Sequence, residues 1–332
     1  MKSIPLSVLD LAPVIEGGDA ADALRRSLDL ARHAEKLGYN RYWVAEHHNM
    51  NGIASAATSV VIGHLAGGTK TIRVGAGGIM LPNHPPLVIA EQFGTLEALY
   101  PGRIDLGLGR APGTDQLTAR ALRGDWSDPN AFPNDVLELQ AFLGPVQDGQ
   151  KVIAVPGANS NVPIWILGSS LFGAQLAAML GLPYAFASHF APDALLQALE
   201  VYRKTFRPSP QQATPYTMAG VNVVAADTDE EARRLFTTMQ MRFTDMVRNR
   251  RGKLQPPIDD IEAYWQPHEK MHAQGMLKYA FVGSPQTVKP QMNAFLDETR
   301  LDEVMVTSMI YDHEARKRSY ELLISSFRDA RP

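Results

Sequence analysis

Two adjacent histidines, His47 and His48, follow the apolar segment RYWVAE at residues 41–46. Such a pair could bind a metal ion, transfer protons or make structural hydrogen bonds. Because neighbouring side chains of a strand point to opposite faces, only one of the two can enter a site at the strand's end. A metal site on a single strand would use His-x-His spacing, and the other histidines, such as His84, are scattered along the sequence. We therefore expect no metal, while a general acid–base role and a structural role both remain open.

The segment VGAGGIMLPNHPP at residues 74–86 carries a second feature. A strand that runs into Gly77 and Gly78 has no side chains near its end. Glycine permits unusual backbone angles and the close approach of a flat or bulky ligand. Gly77 and Gly78 are therefore candidate ligand-contact residues, and a structural bulge in the sheet is the alternative.

Arg110 lies in a third segment, DLGLGRAPGT at residues 105–114. Gly107 and Gly109 imitate the start of a dinucleotide-binding fingerprint, but the next glycine is Gly113 and we expect no helix to begin there. We reject that interpretation because the fingerprint must open a helix. What remains is a strand ending in an arginine, whose permanent planar cation suits an anionic ligand. A salt bridge to a loop carboxylate is the alternative.

A fourth segment, ILGSSLFGAQLAA at residues 166–178, has the pattern of a strand, a turn and a helix start. Gly168 turns the chain, and Ser169 and Ser170 precede the helix. Serines there can cap free N–H groups, yet the same N–H groups and the helix dipole also suit a phosphate. Gly173, one turn into the helix, leaves room for such a group. Together with Arg110, this turn indicates a phosphate-bearing ligand across the strand ends.

The elements that must position these residues alternate along the chain. Short apolar strands are repeatedly followed by amphipathic helical stretches, which is typical of a parallel sheet covered by helices. Eight repeats predict a (β/α)8 barrel, the TIM-barrel fold, whose active sites lie at the carboxyl ends of its strands. A doubly wound open sheet is the alternative. The predicted strands cover residues 4–11, 41–46, 71–78, 103–109, 163–169, 184–188, 217–226 and 301–308.

Three segments do not fit the repeat: residues 110–133, 145–162 and 250–283. They are irregular or rich in Pro, Gly and Asn, and they predict long loops inserted in a single barrel domain over residues 1–332. Loops at the carboxyl ends of barrel strands build or cover the site. The segment 250–283 is a candidate lid.

Composition limits the classes of function. The chain has 332 residues, a net charge of −3 and no cysteine. The charge implies neither nucleic acid nor an anionic membrane as a partner, and the lack of cysteine excludes disulfides and thiol chemistry. Pro5, Asp10 and Pro13 interrupt the first apolar stretch, and no run approaches the roughly 20 apolar residues of a membrane helix. We expect a cytoplasmic protein.

One predicted helix indicates an oligomer. The segment SAATSVVIGHLAGG at residues 55–68 is dominated by small and apolar residues, and His64 is its only titratable group. The outer helix of a barrel should have a polar outer face. We therefore expect this helix to pack against a second copy of the chain in a homodimer, with cover by an insertion loop as the alternative.

Several separated motifs together resemble the luciferase-like flavin-dependent monooxygenases. They are AEHHNMNG, VGAGGIMLPNHPPLVIAEQFGTLEALYPGRIDLGLGRAPG and PIWILGSS, in the order and spacing expected of that family. The resemblance covers the chain from the first strand to the last helix. It favours the single-chain members that begin LSVLDLAP, with a more distant resemblance to the bacterial luciferase α subunit.

The resemblance implies a TIM barrel that uses reduced FMN, supplied as a dissociable co-substrate by a separate NAD(P)H:flavin reductase. Reduced FMN would react with O2 to give a flavin C4a-hydroperoxide that oxidises a small organic substrate. A deazaflavin-dependent hydride-transfer enzyme on the same fold and a non-catalytic flavin-binding barrel are the alternatives. The sequence does not identify the substrate.

The resemblance also implies a role for each candidate residue. The histidine that aids the oxygen chemistry corresponds to His47. The remaining matches are Gly77–Gly78 for a cis peptide beneath the flavin ring, Arg110 for the phosphate arginine, and Ser169, Ser170 and the Gly173 amide for the phosphate-binding turn. This chain departs from luciferase at Ser169, where luciferase has an acidic residue, and at Gly109, where it has cysteine. These departures argue against light emission and against a long-chain aldehyde substrate.

Overall fold

The computed structural model describes residues 4–111, 113–122 and 131–327, and its centre is a parallel β-barrel. Apolar residues predominate in the strands, and those whose side chains point outward pack against a surrounding layer of helices. The strands are β1 (Leu6–Asp10), β2 (Arg41–Val44), β3 (Arg73–Met80), β4 (Ile104–Gly109), β5 (Ile164–Gly168), β6 (Tyr184–Phe186), β7 (Thr217–Ala225), β8 (Ala280–Gly283) and β9 (Glu303–Thr307).

The helices begin and end at recognisable signals. The Asp19 side chain accepts a hydrogen bond from the Asp22 backbone N–H at 2.7 Å where the first helix begins, and Gly181, with φ of +63°, ends the sixth. The helices are α1 (Ala20–Lys36), α2 (Thr58–Gly68), α3 (Pro86–Leu99), α4 (Gln116–Leu122), α5 (Ala131–Leu143), α6 (Leu171–Leu180), α7 (Leu195–Thr205), α8 (Asp229–Val247), α9 (Pro267–Met276), α10 (Pro285–Thr299) and α11 (His313–Phe327). None of those described combines the length and the apolar character that a membrane crossing requires.

The barrel is closed by eight of the nine strands. Strands β1 to β7 pair in sequence order, β7 pairs with β9, and β9 returns to β1 through the pair Leu6↔Val304. Asn222 of β7 pairs with both Thr307 and Ala280, so β8 occupies the β7 edge that the short β6 leaves open. The predicted (β/α)8 barrel is confirmed, and the open doubly wound sheet is wrong because the first and last strands are hydrogen-bonded.

The amino end of the barrel is filled by ion pairs and aromatic rings. Arg41 Nη1 lies 2.8 Å from Asp105 Oδ2, and Arg41 Nε lies 2.8 Å from Glu303 Oε1. Above them, the rings of Trp43 and Trp165 pack edge to face with centroids 5.2 Å apart. Buried charges are tolerated only when they are paired in this way. A ligand therefore has the carboxyl end of the barrel available to it.

Two of the three predicted loops contain regular structure. The segment 250–283 holds α9 and β8, and the segment 110–133 holds α4 and the first turn of α5, while its residues 112 and 123–130 lie outside the described part of the chain. Helix α9 begins where Glu269 accepts a hydrogen bond from the Gln266 backbone N–H at 2.8 Å. Of the three, the segment 145–162 forms no helix or strand.

Candidate active site at the carboxyl end of the barrel

His47 continues the inward-facing row of β2. Trp43 and Ala45 belong to the apolar cluster inside the barrel, and His47 is the next residue in that alternation. Strand pairing persists beyond the end of β2, since the backbone N–H of Glu46 donates to the carbonyl of Gly78 at 3.2 Å. His47 therefore faces the mouth of the barrel, on the side opposite to that of its neighbour His48.

His48 turns the other way and joins a cluster around Glu46. Its Nε2 atom lies 2.7 Å from Glu46 Oε1, and Nε2 of His84 lies 2.9 Å from the same oxygen. Asn83 Nδ2 donates to this oxygen at 2.8 Å, while the Met80 backbone N–H donates to Oε2 at 3.0 Å. The expectation that His84 is scattered away from the histidine pair is wrong, because the loop after β3 folds back over the end of β2.

Glu46 is the ionised centre of this cluster. Burial alone would raise the pKa of its carboxyl group, but hydrogen bonds from His84, Asn83 and His48 hold that pKa below its usual value. The ligand atoms of Glu46, His48 and His84 lie within 4.8 Å of one another, a spacing that a metal ion could use. Both carboxylate oxygens, however, already accept hydrogen bonds, so the carboxylate joins two loops without needing a cation.

The mouth contains a second histidine, His189, which follows β6. The pKa of His189 is lowered to about 4, mainly by burial and to a smaller extent by the proximity of His47. The pKa of His47 is also lowered to about 4, first by burial, with Arg242 of α8 and His48 adding to the effect. Both imidazoles are therefore neutral at pH 7. A neutral imidazole can accept a proton from a bound ligand as well as donate one.

Gly77 and Gly78 form a bare patch on the barrel wall beside His47. The peptide bond between them is cis, as the family resemblance implies. The pairing of β3 with β4 shifts register between Gly77 and Ile79, so the predicted bulge is present as well. A Cβ atom on Gly78 would lie 2.7 Å from the carbonyl oxygen of Gly107, so this position has no room for a side chain.

Arg110 follows β4 and reaches the first turn of α6. Its guanidinium carbon lies 4.1 Å from the ring centroid of Phe172, a stacked cation–π contact. The side chain is exposed, and in the described part of the chain it forms no ion pair, so the salt-bridge alternative is not observed there. The stack leaves the N–H groups of Arg110 available to an anion beside α6.

The turn between β5 and α6 presents free backbone donors next to Arg110. Ser170 is the N-cap residue, but its side chain makes no capping hydrogen bond, and both Ser169 and Ser170 are exposed. Gly168 and Gly173 pack against each other, since a Cβ on either would lie 3.4 Å from the Cα of the other. Gly173 thus serves the close packing of α6 on β5, and the uncapped N–H groups of α6 remain for a ligand.

Four residues near this site carry no role predicted from the sequence: Phe172, His189, Asn222 and Arg242. The Asn222 side-chain amide donates to the carbonyl of His189 at 2.6 Å, which fixes the loop after β6. His189 directly follows a predicted strand, and that position could have marked it as a site residue. Arg242 lies inside a long helix, where the sequence carries no such signal.

Comparison with known proteins places this site in a family. A family model described as luciferase-like monooxygenase matches residues 5–303. A luciferase-like monooxygenase of Escherichia coli (strain K12) is 55% identical over 322 residues, which are 97% of this chain and 96% of that protein. An N-acetyl-S-alkylcysteine monooxygenase of Bacillus subtilis (strain 168) is 32% identical over 328 residues, 96% of this chain and 97% of that protein.

Solved structures agree with the fold. Apo-MsnO8 has a TM-score of 0.91 and 38% identity, with 98% of both chains covered. The oxygenating constituent of 3,6-diketocamphane monooxygenase from the CAM plasmid of Pseudomonas putida, in complex with FMN, has a TM-score of 0.71 and 18% identity over 97% of this chain and 96% of that one. An F420-dependent secondary alcohol dehydrogenase has a TM-score of 0.72 and 16% identity over 98% and 100%. At such identities the last two show the fold alone.

Proposed function

Because the chain belongs to the luciferase-like monooxygenase family, we propose that it is a two-component monooxygenase that uses reduced FMN and O2 to oxidise a small organic substrate. The observation that carries this proposal is the position of Arg110. Its guanidinium stacks on Phe172 at the first turn of α6, where the N-cap side chain leaves the backbone N–H groups free. A permanent cation beside uncapped helix donors suits a phosphate monoester such as that of FMN.

The opposite end of the cofactor requires a flat surface. The bare Gly77–Gly78 segment gives the isoalloxazine ring a wall of backbone without side chains, on the strand next to β4 and Arg110. When bound, reduced FMN would supply the reaction with O2 that gives the C4a-hydroperoxide. The chain's own contribution is to fix the ring, exclude water from the mouth and place a proton-handling group beside it.

His47 is that group in this proposal. Its Nδ1 atom is buried and has no hydrogen-bond partner in the described part of the chain. Because burial keeps the imidazole neutral at pH 7, Nδ1 can exchange a proton with a bound ligand. His48 and Glu46 hold the backbone on either side of His47, so we assign them a positioning role.

The substrate and the source of reduced FMN are further parts of the proposal. The N-acetyl-S-alkylcysteine monooxygenase named among the relatives makes N-acetyl-S-alkylcysteines the first compounds to assay. We expect an NAD(P)H:flavin reductase to supply reduced FMN by diffusion.

Stopped-flow mixing tests the central claim. Protein loaded anaerobically with reduced FMN is mixed with O2, and the absorbance is followed for a transient with the spectrum of a flavin C4a-adduct. We expect the transient in wild-type protein and its rapid loss in His47→Asn. Reoxidation of the flavin at the rate of free FMN in wild-type protein would reject the proposal.

The same material separates the alternative functions. A deazaflavin-dependent enzyme would bind F420 in preference to FMN and would form no adduct with O2, since hydride transfer is its only chemistry. A flavin-binding barrel without catalysis would bind FMN, form no adduct and show the same behaviour after His47→Asn. Anaerobic titration with FMN and with F420 therefore precedes the oxygen experiment.

The assembly that we propose is a homodimer through α2. Val60, on the outer face of that helix, is 71% exposed, so no described loop covers it. Leu99 on the neighbouring α3 is 63% exposed. Apolar side chains exposed together on adjacent helices are typical of an interface. Light scattering at micromolar concentration should give twice the chain mass for wild-type protein and the chain mass for Val60→Asp, whereas a monomeric wild-type protein would contradict the proposal.

A further inference from the structure

Four polar atoms in the mouth of the barrel are buried without a hydrogen-bond partner in the described residues. They are Nδ1 of His47, Nδ1 of His189, Oδ1 of Asn222 and Nη1 of Arg242. They are linked in turn, because Asn222 donates to the His189 carbonyl, His47 lowers the pKa of His189, and Arg242 lowers the pKa of His47. Buried polar atoms without partners are rare in folded proteins, and several of them on neighbouring elements point to a ligand that would satisfy them.

Arg242 has the greatest need for such a ligand. The residue is half-buried with its Nη1 atom fully buried, its guanidinium cannot lose its charge, and a cation withdrawn from water is stabilised by a counter-charge. The two arginines that the structure describes as buried have one, since Arg41 pairs with Asp105 at 2.8 Å and Arg316 pairs with Asp10 at 2.9 Å. Arg242 forms no ion pair within the described part of the chain.

The nearest acid in the sequence of α8 does not supply that charge. Asp245 lies one turn from Arg242, but its Oδ1 accepts a hydrogen bond from the Tyr264 hydroxyl at 3.0 Å and lies 4.0 Å from Arg248 Nη1. Its charge acts on Arg242 only from a distance. The structure thus provides a cation at the edge of the mouth and assigns the neighbouring carboxylate to other partners.

The cluster also defines which further groups the ligand must carry. Asn222 uses its amide nitrogen for the His189 carbonyl, so its free Oδ1 atom is an acceptor that requires an N–H or O–H donor. The neutral ring of His189 can donate or accept. The chemistry that satisfies the cluster is therefore an anionic oxygen group for Arg242 with a hydrogen-bond donor close by.

The barrel order places three of these residues, His189, Asn222 and Arg242, away from the proposed cofactor contacts. Arg110 and the α6 turn follow β4 and β5, and the Gly77–Gly78 wall belongs to β3. His189 follows β6, Asn222 lies on β7, and Arg242 lies on the helix after β7, which is across the barrel from β3. A molecule bound there would lie between His47 and the β7 side of the barrel. It would face the side of the flavin ring that is turned away from the Gly77–Gly78 wall.

We propose that Arg242, Asn222 and His189 form the anchor for a carboxylate-bearing substrate, so that this enzyme selects small organic acids over their neutral counterparts. The inference rests on the proposed monooxygenase function for the word substrate, but the anchor itself requires neither flavin nor O2. In it, Arg242 receives the carboxylate, Asn222 accepts a hydrogen bond from a nearby N–H or O–H, and the His189 ring, whose backbone carbonyl Asn222 holds, supplies a further donor or acceptor. The bond to be oxidised is then held beside His47.

A binding experiment tests the anchor without the oxygen chemistry. N-acetylglycine carries a carboxylate and an amide N–H and is the smallest suitable probe, and N-acetylglycinamide is its neutral counterpart. Saturation-transfer NMR titrations use the full chain without flavin and then with oxidised FMN. We expect the acid to bind at least about tenfold more tightly than the amide, as a charge-assisted bond to arginine requires.

Variants of α8 test whether Arg242 is the cause of the preference for the acid. Arg242→Gln should abolish the preference for the acid, Arg242→Lys should retain part of it, and Arg233→Gln, a change at an exposed position of the same helix, should leave it intact. The lysine variant and a thermal melt of each protein distinguish loss of the anchor from loss of folding. Equal binding of acid and amide by wild-type protein, or an unchanged preference in Arg242→Gln, would overturn the proposal.

One further result would assign Arg242 elsewhere. The reduced flavin ring also carries an anionic oxygen edge beside an N–H, so it could satisfy the same cation. Arg242→Gln could weaken the binding of reduced FMN about tenfold or more while leaving the preference for the acid unchanged. In that case the cation binds the cofactor, and the proposed substrate anchor is wrong. Failure of FMN to bind, or of the C4a-adduct to form, would instead reject the proposed function without affecting the binding result.

Discussion

His48 and Glu46 are hydrogen-bonded at the rim of the barrel, with Nε2 and Oε1 2.7 Å apart. The same carboxylate also binds the His84 ring and the Met80 backbone N–H, so one buried acid connects the loop after β2 to the loop after β3. His47, the residue between Glu46 and His48, takes no part in this cluster and faces the mouth. Adjacent histidines of one chain thus have separable roles.

His47 and His48 should therefore fail differently when they are replaced. We expect His47→Asn to shorten the lifetime of the oxygenated flavin transient about 100-fold or more, the usual loss for a general acid–base group, while FMN affinity stays within about twofold. We expect His48→Asn to lower the free energy of unfolding by about 1–3 kcal/mol because Glu46 loses a partner, with a nearly normal transient. Stopped-flow absorbance and urea unfolding measure the two effects. Identical behaviour of the two variants would contradict this division of roles.

Glu46→Gln tests the anchoring carboxylate itself. The hydrogen bonds that keep the pKa of Glu46 low are bonds to its ionised form, and a neutral amide cannot accept all of them. We expect a loss of about 1–3 kcal/mol in the free energy of unfolding and a weaker affinity for FMN, because the Gly77–Gly78 wall precedes the loop that Glu46 holds. The control is Glu200→Gln on the exposed face of α7, where only Lys204 contacts the acid and stability should change little. A Glu46→Gln protein as stable as this control would show that the cluster does not anchor the loops.

The family resemblance selected His47 over His48. The sequence itself predicted the barrel and the opposite faces of these two histidines for one physical reason. Both depend on local periodicity, which sets the order of strands and helices and the face on which a side chain lies. It could not predict the approach of His84 to Glu46, because a loop of irregular backbone folds back over the strand end. The position of Arg242 depends on how α8 packs beside β7, which one helix sequence does not encode. Strand β8 was missed because its four residues lie in a segment whose Gly and Pro content favours loop.

Arg110→Ala should weaken FMN binding with little effect on the oxygen chemistry of the flavin that remains bound. A charge-assisted bond to the phosphate accounts for roughly 1.5–3 kcal/mol, so we expect the dissociation constant for FMN to rise about 10- to 150-fold. Phe172→Leu removes only the stacking partner of Arg110 and should make the free energy of FMN binding less favourable by about 0.5–1 kcal/mol. Fluorescence titration with FMN, and with riboflavin as the ligand without phosphate, measures both. If Arg110→Ala weakens the binding of riboflavin as much as the binding of FMN, the arginine does not bind the phosphate.

The stability of the ligand-free protein should fall in acid because of the two mouth histidines. The pKa of both His47 and His189 is lowered to about 4, from 6.5 in the unfolded chain, mainly by burial, with smaller contributions from Arg242 at His47 and from His47 at His189. Between pH 6.5 and 4 the unfolded state therefore binds protons that the folded state does not, so the free energy of unfolding decreases as the pH falls through this window. The slope from each histidine is at most about 1.4 kcal/mol per pH unit.

Urea unfolding across this window should show a steeper fall for wild-type protein than for a His47→Asn, His189→Asn double variant. Carboxylates titrate in both proteins, so their contribution cancels when the two are compared. Parallel plots of the free energy of unfolding against pH would show that the histidines are not buried in neutral form.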